Sequence, residues 1–360
     1  MADTTAAERV RVDPARLETL VATAYERLGM PADHARIAAH GVVLADLRGH
    51  ESHGVSNNLF GFYLPGLRSG DINARPNIRI LQESATTARW DADRGMGFVV
   101  GDIVMRDVME RAERYGCGFG AVANSRHYGM AQIYSLMALE RNMIGMSMTN
   151  GVTPGVVPFQ GREAKLGTNP ITVTAPAGTE PPFVLDMATT TVAYGKIQNA
   201  QRDGRTVPPT WGLDRDGHTT TDPQAAMDGL RLLPLGATKE GSGHKGYGLG
   251  LWVDIFCGAL SGSGFTAKAG EEENVNHFFG AWRVDAFVPV DEFKRLMDGR
   301  MRDLVSTPPL DGFDRVLYAG LPEWEAEQDR MAHGVALHPS VIVKLRGLAD
   351  ELGLAFDLLP

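Results

Sequence analysis

Gly241-Ser242-Gly243-His244-Lys245-Gly246 has the G-x-G-x-x-G spacing of a phosphate-binding turn. In a Rossmann fold that turn follows a buried strand, and an acidic residue about 20 positions later meets the ribose. Neither companion is present here. Leu233-Pro234-Leu235-Gly236 makes a poor strand, and the residues beyond the following apolar helix are Gly, Ser and Thr. A second glycine-rich stretch, Gly116-Cys117-Gly118-Phe119-Gly120, lies between a helix and a strand, which is the wrong order. A standard Rossmann domain is therefore not expected. Lys245 and the amides at the start of the helix can still cradle a phosphate; the plainer account is a solvated helix start.

Upstream, Asp13-Pro14 is a helix start, since Asp caps free amides and Pro is tolerated at the first helical position. Leu17, Leu20, Val21, Ala24 and Leu28 recur at helical spacing up to Gly29. A second helix runs from near Pro31 to Leu47. From about Arg75 strands and helices alternate. Strands are expected at 78–81, 86–90, 118–123, 143–149, 171–175 and 183–187. Helices are expected at 97–115, 130–141, 246–260, 289–301 and 340–352. This interleaving predicts an α/β or mixed α+β core. Residues 230–239 read as irregular, and 201–229 as a polar surface excursion.

The 360 residues carry 35 Lys and Arg against 44 Asp and Glu, a net charge of −9. With no run of Lys and Arg, that balance argues against nucleic acid or an anionic membrane as a partner. The N-terminal residues lack the apolar core of a signal peptide. No uncharged apolar run approaches the ~18 residues of a membrane span, and the best stretch, 247–260, is interrupted by Asp254. Cys117 and Cys257, both in apolar stretches, point to a reducing compartment. A soluble, cytoplasmic protein is expected.

Several short segments carry chemistry. Arg48-Gly49-His50-Glu51-Ser52-His53-Gly54 sets a guanidinium, a carboxylate, a hydroxyl and two imidazoles between two helices. A histidine moves protons near neutrality, and an Arg fork matches a carboxylate. The plainer account is a polar junction, with Arg48 paired to Glu51 and Ser52 capping the next helix. His127 follows a buried strand, where side chains often face a crevice; a loop histidine satisfied by backbone is the alternative. Thr168 and Asn169 lie in a turn that can bond ligand or backbone. Asp186 ends an apolar strand and can orient a histidine or cap a helix starting at Ala188. The close pairs His50/His53 and His333/His338 lack an upstream Cys pair, so no metal is expected. A Ser52 nucleophile is not expected either, because adjacent residues rarely face one another and no G-x-S-x-G elbow is present.

Taken in order, Arg48-Gly-x-x-Ser-His-Gly, Asn124-Ser-x-His-Tyr-Gly, Gly167-Thr-Asn-Pro-Ile, Asp186-Met-Ala-Thr and Gly243-His-Lys-Gly-Tyr-Gly-Leu resemble the malate/L-lactate dehydrogenase family of the non-Rossmann type. Ureidoglycolate dehydrogenase, diketogulonate reductase, sulfolactate dehydrogenase and the piperideine/pyrroline-2-carboxylate reductases are similar. The resemblance covers about residues 14 to 345. It implies a homodimeric oxidoreductase using NAD or NADP, with its own α/β sheet in place of the Rossmann domain. The expected organisation is a helical segment 1–75, a central NAD(P)-binding domain 76–300, and a segment 301–360 that returns to the first. His53 is implied as proton donor or acceptor beside Asp186, and some members credit the position of His127 instead. Arg48 and Ser52 would contact substrate. Cofactor contacts would fall on Asn150, Thr168, Asn169, Asp186, Met187, Ala188, His244 and Lys245. They extend to a C-terminal turn at Gly320, where the family's Pro-Gly-Glu becomes Ala319-Gly320-Leu321, with Pro322-Glu323 after it.

The resulting expectation is reduction of a small 2-oxo acid: a nicotinamide gives hydride to C2 and His53 gives the proton. Reduction of a cyclic imine acid, Δ1-pyrroline- or piperideine-2-carboxylate, is the second reading, since protonation at N plays the same part. A non-catalytic protein retaining the scaffold is the third. Asn57, Asn58 and Tyr63 face the choice of acid without singling one out.

Overall fold

The computed structural model describes residues 9–151, 153–265 and 275–359. The helices are α1 (Pro14–Arg27), α2 (Ala32–Leu47), α3 (Leu64–Ser69), α4 (Gly97–Tyr115), α5 (Gln132–Met137), α6 (Tyr194–Arg202), α7 (Pro223–Gly229), α8 (His244–Asp254), α9 (Val290–Val305), α10 (Leu321–His333) and α11 (Pro339–Leu352). The strands are β1 (Val10–Val12), β2 (Arg79–Glu83), β3 (Thr87–Asp91), β4 (Cys117–Ser125), β5 (Met143–Thr149), β6 (Ile171–Ala175), β7 (Phe183–Met187), β8 (Val275–Arg283) and β9 (Val335–Leu337). A π-helical segment, Val55–Tyr63, leads into α3. Local signals act as expected at α1, where Asp13 accepts from Arg16 N at 2.9 Å and Pro occupies the first turn.

Seven strands form one sheet in the order β2-β3-β4-β8-β5-β6-β7. Only β3 and β4 run parallel, and every other pair is antiparallel. A Rossmann sheet is parallel, so this one has a different construction. Successive side chains of a strand point to opposite faces. Thus Phe279 packs with Val104 and Val108 of α4 on one face, while Phe278 packs with Val253 of α8 on the other. Gly120 explains the glycine-rich stretch at 116–120: a Cβ there would lie 2.6 Å from Val104 Cγ1. Small residues let α4 lie close on β4, a packing role rather than a phosphate-binding one.

A separate core joins the two ends of the chain. Leu17, Val42 and Leu59 pack there with Val335, Leu345 and Leu348, and β1 pairs antiparallel with β9. The segment 233–235 holds no strand. It runs beside 189–191 through Leu235 N to Thr189 O, 2.9 Å, and Thr191 N to Leu233 O, 3.0 Å. That pairing carries the start of α8 toward the end of β7.

Candidate active site

The histidine loop begins where α2 stops. Its shape comes from Asp46, fully buried, whose Oδ2 accepts from Val55 N at 2.6 Å. Gly54 leaves room for that carboxylate, which a Cβ at residue 54 would strike. The loop lifts His53 toward β4 and β7. Arg48 does not pair with Glu51, whose carboxylate instead meets Arg9. Ser52 does not cap the following helix, and its hydroxyl lies 2.9 Å from His53 Nδ1. Contrary to expectation, the adjacent residues do face one another, because the tight loop turns the ring back along the chain.

His53 and His127 stack with ring centroids 6.1 Å apart. Burial pushes His53 below the ordinary 6.5; the Asp186 charge opposes that shift, and His50 adds to it. Burial likewise pushes the Asp186 carboxyl up, against the Gln132 amide and the charge of His53. Asp186 lies in β7 and accepts from Gln132 N at 3.0 Å. It caps no helix, since none begins until Tyr194. Residues 133 positions apart in sequence thus act on each other through their charges.

His127 is held by its Nδ1, which accepts from Gly129 N at 3.2 Å and faces the Tyr63 hydroxyl at 2.8 Å. An accepting Nδ1 puts the proton of a neutral ring on Nε2. Burial, with His53 nearby, pushes His127 down to about 3, so the ring is neutral at ordinary pH. Phe62 covers it face on at 5.1 Å.

Arg48 is 4% exposed. Its Nε donates to Gln132 Oε1 at 2.7 Å, and its Nη1 pairs with Glu327 of α10. Nη2 is buried without a partner. Gln132 and Glu327 were invisible to sequence reasoning: neither lies in a recognisable motif, and their importance comes from contacts across 84 and 279 positions.

The expected cofactor residues divide into two groups. Asn150 and Asn169 are spent inside the fold. Asn150 Oδ1 accepts from Asn276 N at 2.8 Å, while Asn169 accepts from Gly151 N at 3.0 Å and donates to Gly250 O at 2.8 Å. Thr168 contributes its carbonyl to Thr189 N at 3.0 Å. The others border open space. Met187 and Ala188 are half-buried, and His244 and Lys245 are exposed at the start of α8, whose first turn holds no acidic residue. Gly320, at φ +95°, lies against β7, and Val184 N bonds Ala319 O at 3.0 Å. The C-terminal turn therefore ends two residues along the strand from Asp186. Among the described residues no cluster of three or more His, Cys, Asp or Glu could hold a metal ion.

Residues 12–346 match the malate/L-lactate dehydrogenase family. The chain belongs to that family. Malate dehydrogenase of Pyrococcus horikoshii is 39% identical to it over 350 residues, 96% of each chain. The solved structure of that protein superposes with a TM-score of 0.88 at 36% identity, covering 99% of both chains. L-sulfolactate dehydrogenase of Methanocaldococcus jannaschii is 36% identical over 96% of this chain and 98% of its own. The structure of Δ1-piperideine-2-carboxylate reductase from Pseudomonas syringae is similar too, with a TM-score of 0.81 at 25% identity over 94% of this chain and 100% of that one. Family membership makes the protein an oxidoreductase, and it fits a sheet that is not of the Rossmann type.

Proposed function

We propose that the protein transfers a hydride between NAD or NADP and C2 of a small 2-oxo or 2-hydroxy acid, with a proton moving through His53. The observation that carries this reading is the mutual electrostatic influence of buried His53 and Asp186, with Gln132 joining Asp186 to an arginine that keeps one unpartnered buried donor. Burial and a neighbouring carboxylate act on His53 in opposite directions, which suits a group that gives and takes a proton near working pH. Asp186 would stabilise the imidazolium, and Arg48 Nη2 would hold the substrate carboxylate and set C2 in place. Ser52 orients the His53 ring through Nδ1. His127 serves as a neutral donor through Nε2 rather than as the base.

The residues fit a dinucleotide. His244, Lys245 and the amides that open α8 offer positive potential with no acidic side chain in the first turn. Met187, Ala188 and the Gly320 turn line the way from there to Asp186, while Thr168, Asn169 and Asn150 support this wall from behind. When bound, the nicotinamide supplies or accepts the hydride.

The relative that reduces Δ1-piperideine-2-carboxylate favours a second reading, in which His53 protonates nitrogen instead of oxygen. Pyruvate, oxaloacetate and a cyclic imine acid, each incubated with NADH and with NADPH, separate the two by loss of nicotinamide absorbance. The first reading expects turnover of a 2-oxo acid, and the second a preference for the imine. No turnover with either cofactor refutes both. His53→Ala is expected to cost about 10²–10⁴ in rate; a dead His127→Ala beside an unimpaired His53→Ala would reverse the two roles.

The same reading includes a homodimer in the cytoplasm, organised as segments 1–75, 76–300 and 301–360. Exposed Phe287, Leu310, Phe313 and Val343 support a covering copy, and both cysteines are free thiols.

A further inference from the structure

Gln132 opens α5 and is fully buried, at 1% exposure. Its three polar groups reach three parts of the site. The backbone N–H donates to Asp186 Oδ2 at 3.0 Å, Oε1 accepts from Arg48 Nε at 2.7 Å, and Nε2 lies 3.1 Å from His50 Nε2. The orientation of the amide follows from chemistry: a guanidinium only donates, so it must face the oxygen. The amide nitrogen then donates to His50 Nε2, which must carry a lone pair, so His50 is neutral with its proton on Nδ1.

We propose that Gln132 is a positioning residue that sets the Arg48 guanidinium so that Nη2 is the donor offered to the substrate carboxylate. This rests on the reading of Arg48 given above. Glu327 alone would neutralise the guanidinium yet leave it free to swing about the ion pair. A second acceptor on Nε, on a different edge of the planar group, fixes the plane and with it the direction of the remaining edge. Nη2 is the edge without a partner, on a side chain 4% exposed. Burial holds His50 below its ordinary value, with Arg48 and Arg330 acting the same way and Glu323 against them, so it stays an acceptor for the amide. The 3.0 Å bond to Asp186 comes from the backbone of Gln132 and survives a side-chain substitution, which cuts the arginine arm and removes only the smaller support that the amide gives the Asp186 carboxylate.

The test uses the full chain with Gln132→Met, which keeps length and loses the amide, and Gln132→Glu, which keeps an acceptor for Arg48. Steady-state KM for the 2-oxo acid, KM for the dinucleotide, the pH profile and Tm are measured for each. Gln132→Met is expected to raise the KM of the acid about 10- to 100-fold, the worth of a buried hydrogen bond to a charged group. The dinucleotide KM stays in place, and the pH profile moves only as far as loss of the amide's smaller support of Asp186 carries it. Gln132→Glu is expected to bring the acid KM back to within about threefold of the parent. An unaltered acid KM in Gln132→Met overturns the inference. So does a parallel rise of both KM values with a fallen Tm, which would mark Gln132 as packing alone. Arg48→Met is run beside them: if its acid KM equals the parent's, the carboxylate grip itself is wrong, a result distinct from failure of the Gln132 role.

Discussion

Replacing Asp186 by Asn removes one charge and turns one acceptor oxygen into a donor. The new side chain keeps its volume and an oxygen for Gln132 N–H, now 3.0 Å from Oδ2. What disappears is the attraction that opposes burial of the charged His53 ring. His53 then falls further below 6.5. At a fixed pH above its pKa, each further unit of fall removes tenfold of the protonated form, equivalent to about 1.36 kcal/mol. Weaker preorganisation of the ring adds to this, so kcat/KM for reduction at neutral pH is expected to drop on the order of 10²-fold. The direction gives the signature. The limb on which reduction fades with rising pH moves to lower pH, and acidification recovers activity. Stability goes the other way: burial raises the Asp186 carboxyl above 3.8, so its ionised form costs the native state near neutrality, and the variant should melt no lower than the parent. Initial rates of nicotinamide oxidation across a pH series, with melting curves, provide the assay. A loss equal at every pH, or a limb moved to higher pH, would refute the pairing of Asp186 with His53.

Three further substitutions probe the framework. Asp298 ties α9 to the β6–β7 turn through Gly178 N at 2.8 Å, Thr179 N at 2.9 Å and Glu180 N at 3.2 Å. Asp298→Ala should lower stability by about 2–3 kcal/mol in denaturant titration. These bonds hold the carboxyl down at about 2. Its stabilisation is therefore present above the ordinary value of 3.8 and is lost as pH falls through about 2, so the difference between variant and parent should vanish in acid. Asp46 behaves oppositely, because burial pushes it up to about 7. Its contribution is complete below 3.8 and is lost as pH rises through about 7. Asp46→Asn should flatten the fall of Tm across that window and gain about 1–3 kcal/mol at pH above it; an unchanged slope counts against a protonated Asp46. Gly320→Ala would put a Cβ 2.6 Å from Val184 Cβ at a φ of +95°. It should cost about 1–3 kcal/mol and raise the dinucleotide KM more than that of the acid, as read by steady-state kinetics.

Elements with a one-sided apolar pattern could be read from the sequence almost to the residue. Gly97–Tyr115, Met143–Thr149, Ile171–Ala175 and Phe183–Met187 appear at the expected bounds. Val275–Arg283 did not stand out, though it is central to the sheet, between β4 and β5. Its first seven residues are all buried, so it has no alternation to detect, although its run of aromatics was a usable signal. The helix Leu321–His333 escaped for the opposite reason: it buries no residue and has no apolar stripe. Among the candidate residues, Asp186 could be picked out because it comes near the end of an apolar strand, and His53 and His127 because each stands in a short polar motif where an element ends. Gln132 and Glu327 could not, because an amide and a helix-face carboxylate gain meaning only from partners that the fold delivers. Asn150 and Asn169 also stand in short polar motifs, and what the sequence could not show is that their side chains accept from the backbone of Asn276 and Gly151.

The pairing of Val10–Val12 with Val335–Leu337 bears on synthesis. The ion pair between Arg48 and Glu327 joins the same two regions. A nascent polypeptide can form α4 and much of the central sheet while still attached to the ribosome, but the Arg48–Glu327 pair waits for the last tenth of translation. Contacts so far apart along the chain are slow to form, so premature release should yield a partly folded species without catalytic activity. Spliced head to tail and reopened within the polar excursion at 201–229, the polypeptide would bring Arg48 and Glu327 close along the chain.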